Sequence, residues 1–210
     1  ELDAIKGIQL LQNGGVQWMT AGRGVVHSEM PEQEEGVMEG FQLWLNLASS
    51  QKMCSPAYED IQSDSIPEYQ PRESIRVRVI SGESHGVQGA VHRPIELFPT
   101  NPLYLDIHFE ADSCFQQTLN PLHNAFLFVY RGHVNVVSDS AKTAVNLHRM
   151  AILQNEGNCV VIEGSPGAKI LLIAGQPLNE PIAQHGPFVM NTREELIKAV
   201  DDFRAGLFTS

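Results

Sequence analysis

The sequence predicts an all-β protein of two β-barrel lobes with a short helix near its C-terminus, and three observations carry that expectation. Apolar, β-branched runs of strand length recur at 75–80, 125–130, 134–137, 159–162 and 169–174, punctuated by Gly, Pro, Asn and Asp. A helical signature stands out at 192–206. The length, 210 residues of which 42% are hydrophobic, suffices for one large core or two of about a hundred residues each.

Taken in chain order, the first informative segment is 15–31, which is punctuated by glycine and ends in His27-Ser28-Glu29. Gly22 and Gly24 flank Arg23, and two glycines so placed allow positive φ and close backbone approach, so a tight turn is predicted there. In a following extended strand, His27 and Glu29 would share one face while Ser28 points away. An imidazole and a carboxylate two residues apart can meet one ion. The pair suits a divalent transition metal better than calcium, and it lacks the thiolates of structural zinc. Taken alone, the triplet is common and reads more readily as an ordinary polar strand end. Arg23 reads as an exposed turn cation, or as a group orienting an acidic ligand.

Residues 42–47, Gln-Leu-Trp-Leu-Asn-Leu, alternate as a strand with one buried face, and Trp18 and Trp44 read as core or barrel lining. The acidic run Glu32-Gln33-Glu34-Glu35 reads as a solvated loop. Residues 62–71 are polar and contain proline, which reads as a linker dividing an N-terminal domain, 1–66, from a C-terminal one, 67–210. At the far end, Thr192-Arg193-Glu194-Glu195 is a capping box ahead of Leu196, Ile197, Val200 and Phe203, one apolar stripe, with Gly206 placed to stop the helix.

Composition excludes several roles. With 14 basic against 25 acidic residues and a net charge of −11, direct binding to a phosphate backbone is disfavoured. No apolar stretch has membrane-spanning length. Cys54, Cys114 and Cys159 form no metal spacing and leave an odd thiol under any full pairing, which fits a reducing, cytoplasmic setting, or a nuclear one in a eukaryote.

Trp18-Met19-Thr20-Ala21-Gly22-Arg23-Gly24, His27-Ser28-Glu29, Gln42 to Leu47, Lys52-Met53 with Pro56 and Tyr58, Ile80-Ser81-Gly82, Leu103-Tyr104-Leu105-Asp106, Ala174-Gly175-Gln176-Pro177-Leu178, Glu180-Pro181-Ile182 and Gly186-Pro187-Phe188-Val189-Met190-Asn191-Thr192 together resemble the pirin family at its usual spacings. The resemblance covers nearly the whole chain. It implies a cupin fold of two stacked β-barrels with one non-haem metal in the first, Fe(II) foremost and Mn, Ni or Cu as alternatives. His27 and Glu29 would be metal ligands, with Glu29 also a candidate catalytic base.

The implied activity is quercetin 2,3-dioxygenase-type ring cleavage of a flavonol by dioxygen. The alternative is a non-catalytic, metal-dependent regulator that binds a protein partner, a transcription factor or a metabolic enzyme. The family's metal is completed by a His-x-His pair on an earlier strand. The remaining histidines, His85, His92, His108, His123, His133, His148 and His185, contain no such pair and read as structural or surface residues. The stretch up to Gln12 does not resemble the family's corresponding strands. The expectation is therefore a chain that begins inside the first barrel, holds two of four ligands, and is inactive alone.

Overall fold

A computed structural model describes residues 10–30, 34–92 and 98–207. In chain order the strands are β1 (Val16–Thr20), β2 (Ala57–Ile61), β3 (Glu68–Arg72), β4 (Ile75–Ser81), β5 (Glu83–Ser84), β6 (Val87–Gln88), β7 (Leu103–Phe109), β8 (Ser113–Thr118), β9 (Asn124–Arg131), β10 (Val134–Val137), β11 (Lys142–Val145), β12 (Met150–Ile152), β13 (Cys159–Gly164), β14 (Lys169–Gly175), β15 (Ala183–His185) and β16 (Phe188–Met190). A single α-helix, α1 (Arg193–Arg204), follows them among the described residues. The described chain divides into two units: Trp18–Glu59 with 179–207, and Leu11–Gln17 with Asp60–Leu178.

The second unit holds the larger core. Its six-stranded sheet runs β12-β9-β14-β7-β4-β3 and its four-stranded sheet β11-β10-β13-β8. The strand pairing in both is antiparallel. Alternation explains the layering: Ile75, Val77 and Val79 of β4, Leu105, Ile107 and Phe109 of β7, and Ile170 and Leu172 of β14 all point inward and are fully buried, facing Phe115 and Ile162 of the smaller sheet.

The intervening residues on β4 and β7 form a polar layer on the other face of the six-stranded sheet. Arg78 lies opposite Asp106, and Arg76 opposite His108. Arg76 Nη2 donates to His108 Nδ1 (2.8 Å). Because a guanidinium can only donate, Nδ1 is the acceptor and Nε2 carries the proton, which it gives to Asp106 Oδ1 (3.0 Å).

Residues 62–71 correct the expected linker. They form a 3₁₀ turn at Ser63–Ser65 and then edge strand β3, paired to β4 with a register shift between Tyr69 and Arg72. Pro71 is tolerated because an edge strand has one side on which no N–H is needed. Residues 42–47 are a second correction. They form no strand, no described strand pairs with them, and Trp44 is 58% exposed rather than core. An alternating pattern becomes a strand only beside a partner. Trp18 is half-buried. Of the acidic run, 32–33 lie outside the described residues and Glu34 and Glu35 are exposed.

The helix forms where the capping box placed it. Glu195 N–H donates to Thr192 Oγ1 (3.2 Å) and Thr192 N–H to Glu195 Oε2 (2.9 Å). At the other end Gly206 (φ 72°) and Leu207 donate to Phe203 O (3.1 Å) and Asp202 O (2.8 Å), a Schellman close. The stripe is narrower than expected: Leu196 is buried, whereas Ile197 and Phe203 are half-exposed, Phe203 meeting Phe188 edge-on at 5.9 Å. Thr192→Ala is expected to cost about 1 kcal/mol, which for a chain of this size lowers the melting temperature by about 2–4 °C. Thermal melting followed by far-UV circular dichroism measures it.

Candidate functional site

The turn before His27 is built as the glycines suggested. Gly24 N–H donates to Ala21 O (2.9 Å) and Arg23 N–H to Cys54 O (2.9 Å). Gly22 has φ 52°, and a Cβ there would sit 2.2 Å from Cys54 O, so both conformation and space require glycine. Arg23 is an exposed turn cation whose Nη1 lies 3.5 Å from Ser55 Oγ.

The chain beyond the turn departs from expectation: β1 ends at Thr20, and 25–30 form no strand. His27 and Glu29 nonetheless approach each other, with Nε2 and Oε1 3.8 Å apart and side chains 42% and 62% exposed. Two ligands about 2.1 Å from a tetrahedral or octahedral metal lie roughly 3.0–3.4 Å apart, so a rotamer adjustment of a few tenths of an ångström would bring both to one ion. The pair fits two positions of a coordination shell. Among the described residues no group of three or more His, Cys, Asp or Glu is placed to hold a metal.

A second cluster in the same unit escaped the sequence reading. Lys52, 6% exposed, donates through Nζ to Asn46 Oδ1. Glu180 accepts from Ser49 N–H (2.7 Å), Ser49 Oγ (3.0 Å) and Asn191 Nδ2 (3.0 Å). The backbone bond from Ser49 does most to hold the Glu180 carboxyl below its usual range. Burial pushes the Lys52 ammonium down, opposed by the charges of Glu180 and Glu195. The cluster clasps 46–52 to 180–195 and is satisfied within itself, which marks it as structural support.

The pirin C-terminal cupin domain profile matches residues 104–209 and the pirin profile residues 3–45. The second match takes in most of the stretch before Gln12 and corrects the expectation that this stretch departs from the family. A pirin-like protein of Caulobacter vibrioides is 42% identical over 93% of this chain, which spans 68% of that protein. A Pseudomonas aeruginosa protein whose name, quercetin 2,3-dioxygenase, is provisional is 42% identical over 94% of this chain, which spans 69% of it. A crystal structure of quercetin 2,3-dioxygenase from Acinetobacter baumannii superposes with a TM-score of 0.82 at 33% identity, covering 95% of this chain and 68% of its own.

Proposed function

The chain belongs to the pirin family, and on that premise we propose that it is the larger part of a metal protein acting on flavonol-like molecules in the manner of a quercetin 2,3-dioxygenase. The observation that carries this reading is the His27–Glu29 approach of 3.8 Å directly after the Gly22-Arg23-Gly24 turn. His27 would supply a neutral imidazole and Glu29 a carboxylate to one divalent metal, iron first and manganese, nickel or copper next. When bound, such a metal supplies Lewis acidity toward the flavonol 3-hydroxyl and redox capacity for reaction with dioxygen. Glu29 would hold the proton released from that hydroxyl on its second carboxylate oxygen, and its exposure leaves that oxygen free to exchange the proton with solvent.

Two ligands hold a transition metal weakly, so the chain of 210 residues is expected to bind iron poorly and to consume little oxygen with quercetin. A version extended to the length of its relatives is expected to do both. In the extended version His27→Ala and Glu29→Ala are each expected to lower metal affinity by roughly a hundredfold or more while circular dichroism stays unchanged. Elemental analysis and an oxygen electrode read the result, and full metal occupancy in both variants would refute the ligand assignment. A second reading, a metal-dependent regulator, is favoured by the exposed apolar residues Val37, Met38, Leu43 and Trp44, which suit a protein partner. A metal-loaded protein that binds quercetin without consuming oxygen would select it.

A further inference from the structure

Strands β5 and β6 of the second unit form a hairpin in which Ser84 pairs with Val87, and the loop between them is His85-Gly86, with φ of 51° and 81°. Both central residues are left-handed, as a type I′ turn requires, and that geometry ordinarily selects Asn, Asp or Gly at the first of them. The turn therefore does not account for a histidine. Although His85 is exposed, its imidazole lies back against the protein, with ring centroids 5.5 Å from Tyr69 and 5.7 Å from the buried Phe115.

The hydrogen bonds behind that ring fix where its proton sits. Gln117 Nε2 donates to Thr118 O (2.9 Å), so Gln117 Oε1 is an acceptor and takes the Ser84 hydroxyl proton (2.5 Å). Ser84 and Gln117 are 1% and 5% exposed, which keeps water from replacing this bond. With its own proton committed, Ser84 Oγ accepts from Tyr69 Oη–H (2.5 Å), and burial, by pushing the Tyr69 pKa up, keeps that proton in place. Tyr69 Oη then has only lone pairs to offer His85 Nδ1 (2.8 Å), so Nδ1 carries the imidazole proton. A neutral His85 is thus held as the Nδ1–H tautomer, with a bare lone pair at Nε2.

His85 lines a cleft of about 290 Å³ with Glu83, Gly86, Gln117 and Thr118. Small-molecule sites begin at about this size, roughly 300 Å³. The Gln117 amide is already spent on Ser84 and Thr118 O, so the groups left for a ligand are the Nε2 lone pair, the exposed Glu83 carboxylate and the exposed Thr118 hydroxyl. An anion would set lone pairs against lone pairs. An alcohol brings one proton for two acceptors that cannot donate. A primary ammonium brings three protons and the charge opposite to that of Glu83.

We propose that this cleft binds a small primary amine in its ammonium form, its N–H groups shared between His85 Nε2 and the Glu83 carboxylate. The site is built wholly from the second unit and is independent of the metal reading for His27 and Glu29.

Isothermal titration of butylamine into the 210-residue chain tests it, with butanol and butyrate as parallel probes. Mildly alkaline buffer suits the measurement, because there an imidazole is ordinarily neutral and an alkylamine still charged. Saturable butylamine binding is expected, at least tenfold tighter than butanol or butyrate. It should weaken at least tenfold in Glu83→Gln, which keeps the shape and removes the charge, and in His85→Asn, which removes the imidazole and suits the turn. Nitrogen-15 NMR of the parent should show the His85 proton on Nδ1, and Tyr69→Phe, which takes away the lone pairs that hold it there, should let the Nε2–H form appear. Absence of saturable butylamine binding, undiminished binding in Glu83→Gln or His85→Asn, or an Nε2–H imidazole in the parent would each overturn the proposal.

Discussion

A Gly164→Val variant is expected to lose the cooperative fold of the larger unit. Gly164 closes β13 opposite Ser113 of β8 and Val134 of β10, and the ring of Phe109 fills the space where its side chain would be. A Cβ placed there would lie 2.2 Å from Phe109 Cγ and 2.4 Å from both Cδ atoms. The ring has nowhere to go: Phe109 is 1% exposed, and its backbone is held by Phe109 N–H to Ala168 O and Gly167 N–H to Phe109 O, both 2.8 Å. Even alanine overpacks the site, at a cost of about 1–3 kcal/mol. Valine adds two further methyl groups against the same ring, which takes up much of the roughly 5–15 kcal/mol that a domain has in total. Urea denaturation of the Val variant should show no sigmoidal transition. In the Gly164→Ala background, Phe109→Leu should cost less than the two single changes summed, because the smaller side chain vacates the clash. A Val variant melting within a degree or two of the parent would mean that the ring does not occupy that space.

What could be read from the sequence followed the range of the interaction. The run at 134–137 became β10 residue for residue, and Thr192 with Glu195 closed the predicted capping box, because both signals lie within a few residues of each other. His27 and Glu29, two apart in the chain, approach to 3.8 Å without the strand that was expected to bring them onto one face. Residues 62–71 were misread because proline and polar residues mark edge strands as well as linkers, and only the pairing of β3 with β4 tells them apart. Residues 42–47 show the converse: alternation states what a strand would bury, yet a ladder needs a neighbour, and none of the described strands provides one. The clasp between Ser49 and Glu180 joins residues 131 apart, so neither local motif announced it.

Asp106→Ala is expected to destabilise the larger unit by roughly 3–5 kcal/mol, the cost of removing one partner from a buried charged network. Tyr130 Oη donates to Asp106 Oδ1 (2.6 Å), His108 Nε2–H donates to the same oxygen (3.0 Å), and Arg78 Nη1 stands 3.7 Å from Oδ2. The Arg78 and Asp106 side chains are only 11% and 12% exposed, so without the carboxylate Arg78 keeps Glu68 at 3.9 Å and Gly14 O at 2.7 Å but carries a charge that water reaches poorly. The same network sets a pH signature. Burial by itself would raise the Asp106 pKa, but the hydrogen bonds from His108 and Tyr130 and the charge of Arg78 outweigh it and hold the carboxyl below its usual range. A carboxyl whose folded pKa is depressed binds its proton more readily in the unfolded chain. Its contribution is therefore complete above the unfolded value of about 3.9 and is lost as the pH falls from there through the lower folded value. Asp106→Asn keeps the shape and removes the titration. Unfolding free energies from urea titrations between neutral and acidic pH should show the parent losing stability more steeply than Asp106→Asn on the acid side, with the two curves converging as Asp106 protonates. Identical acid-side slopes would mean that solvent, not His108, Tyr130 and Arg78, holds the carboxylate.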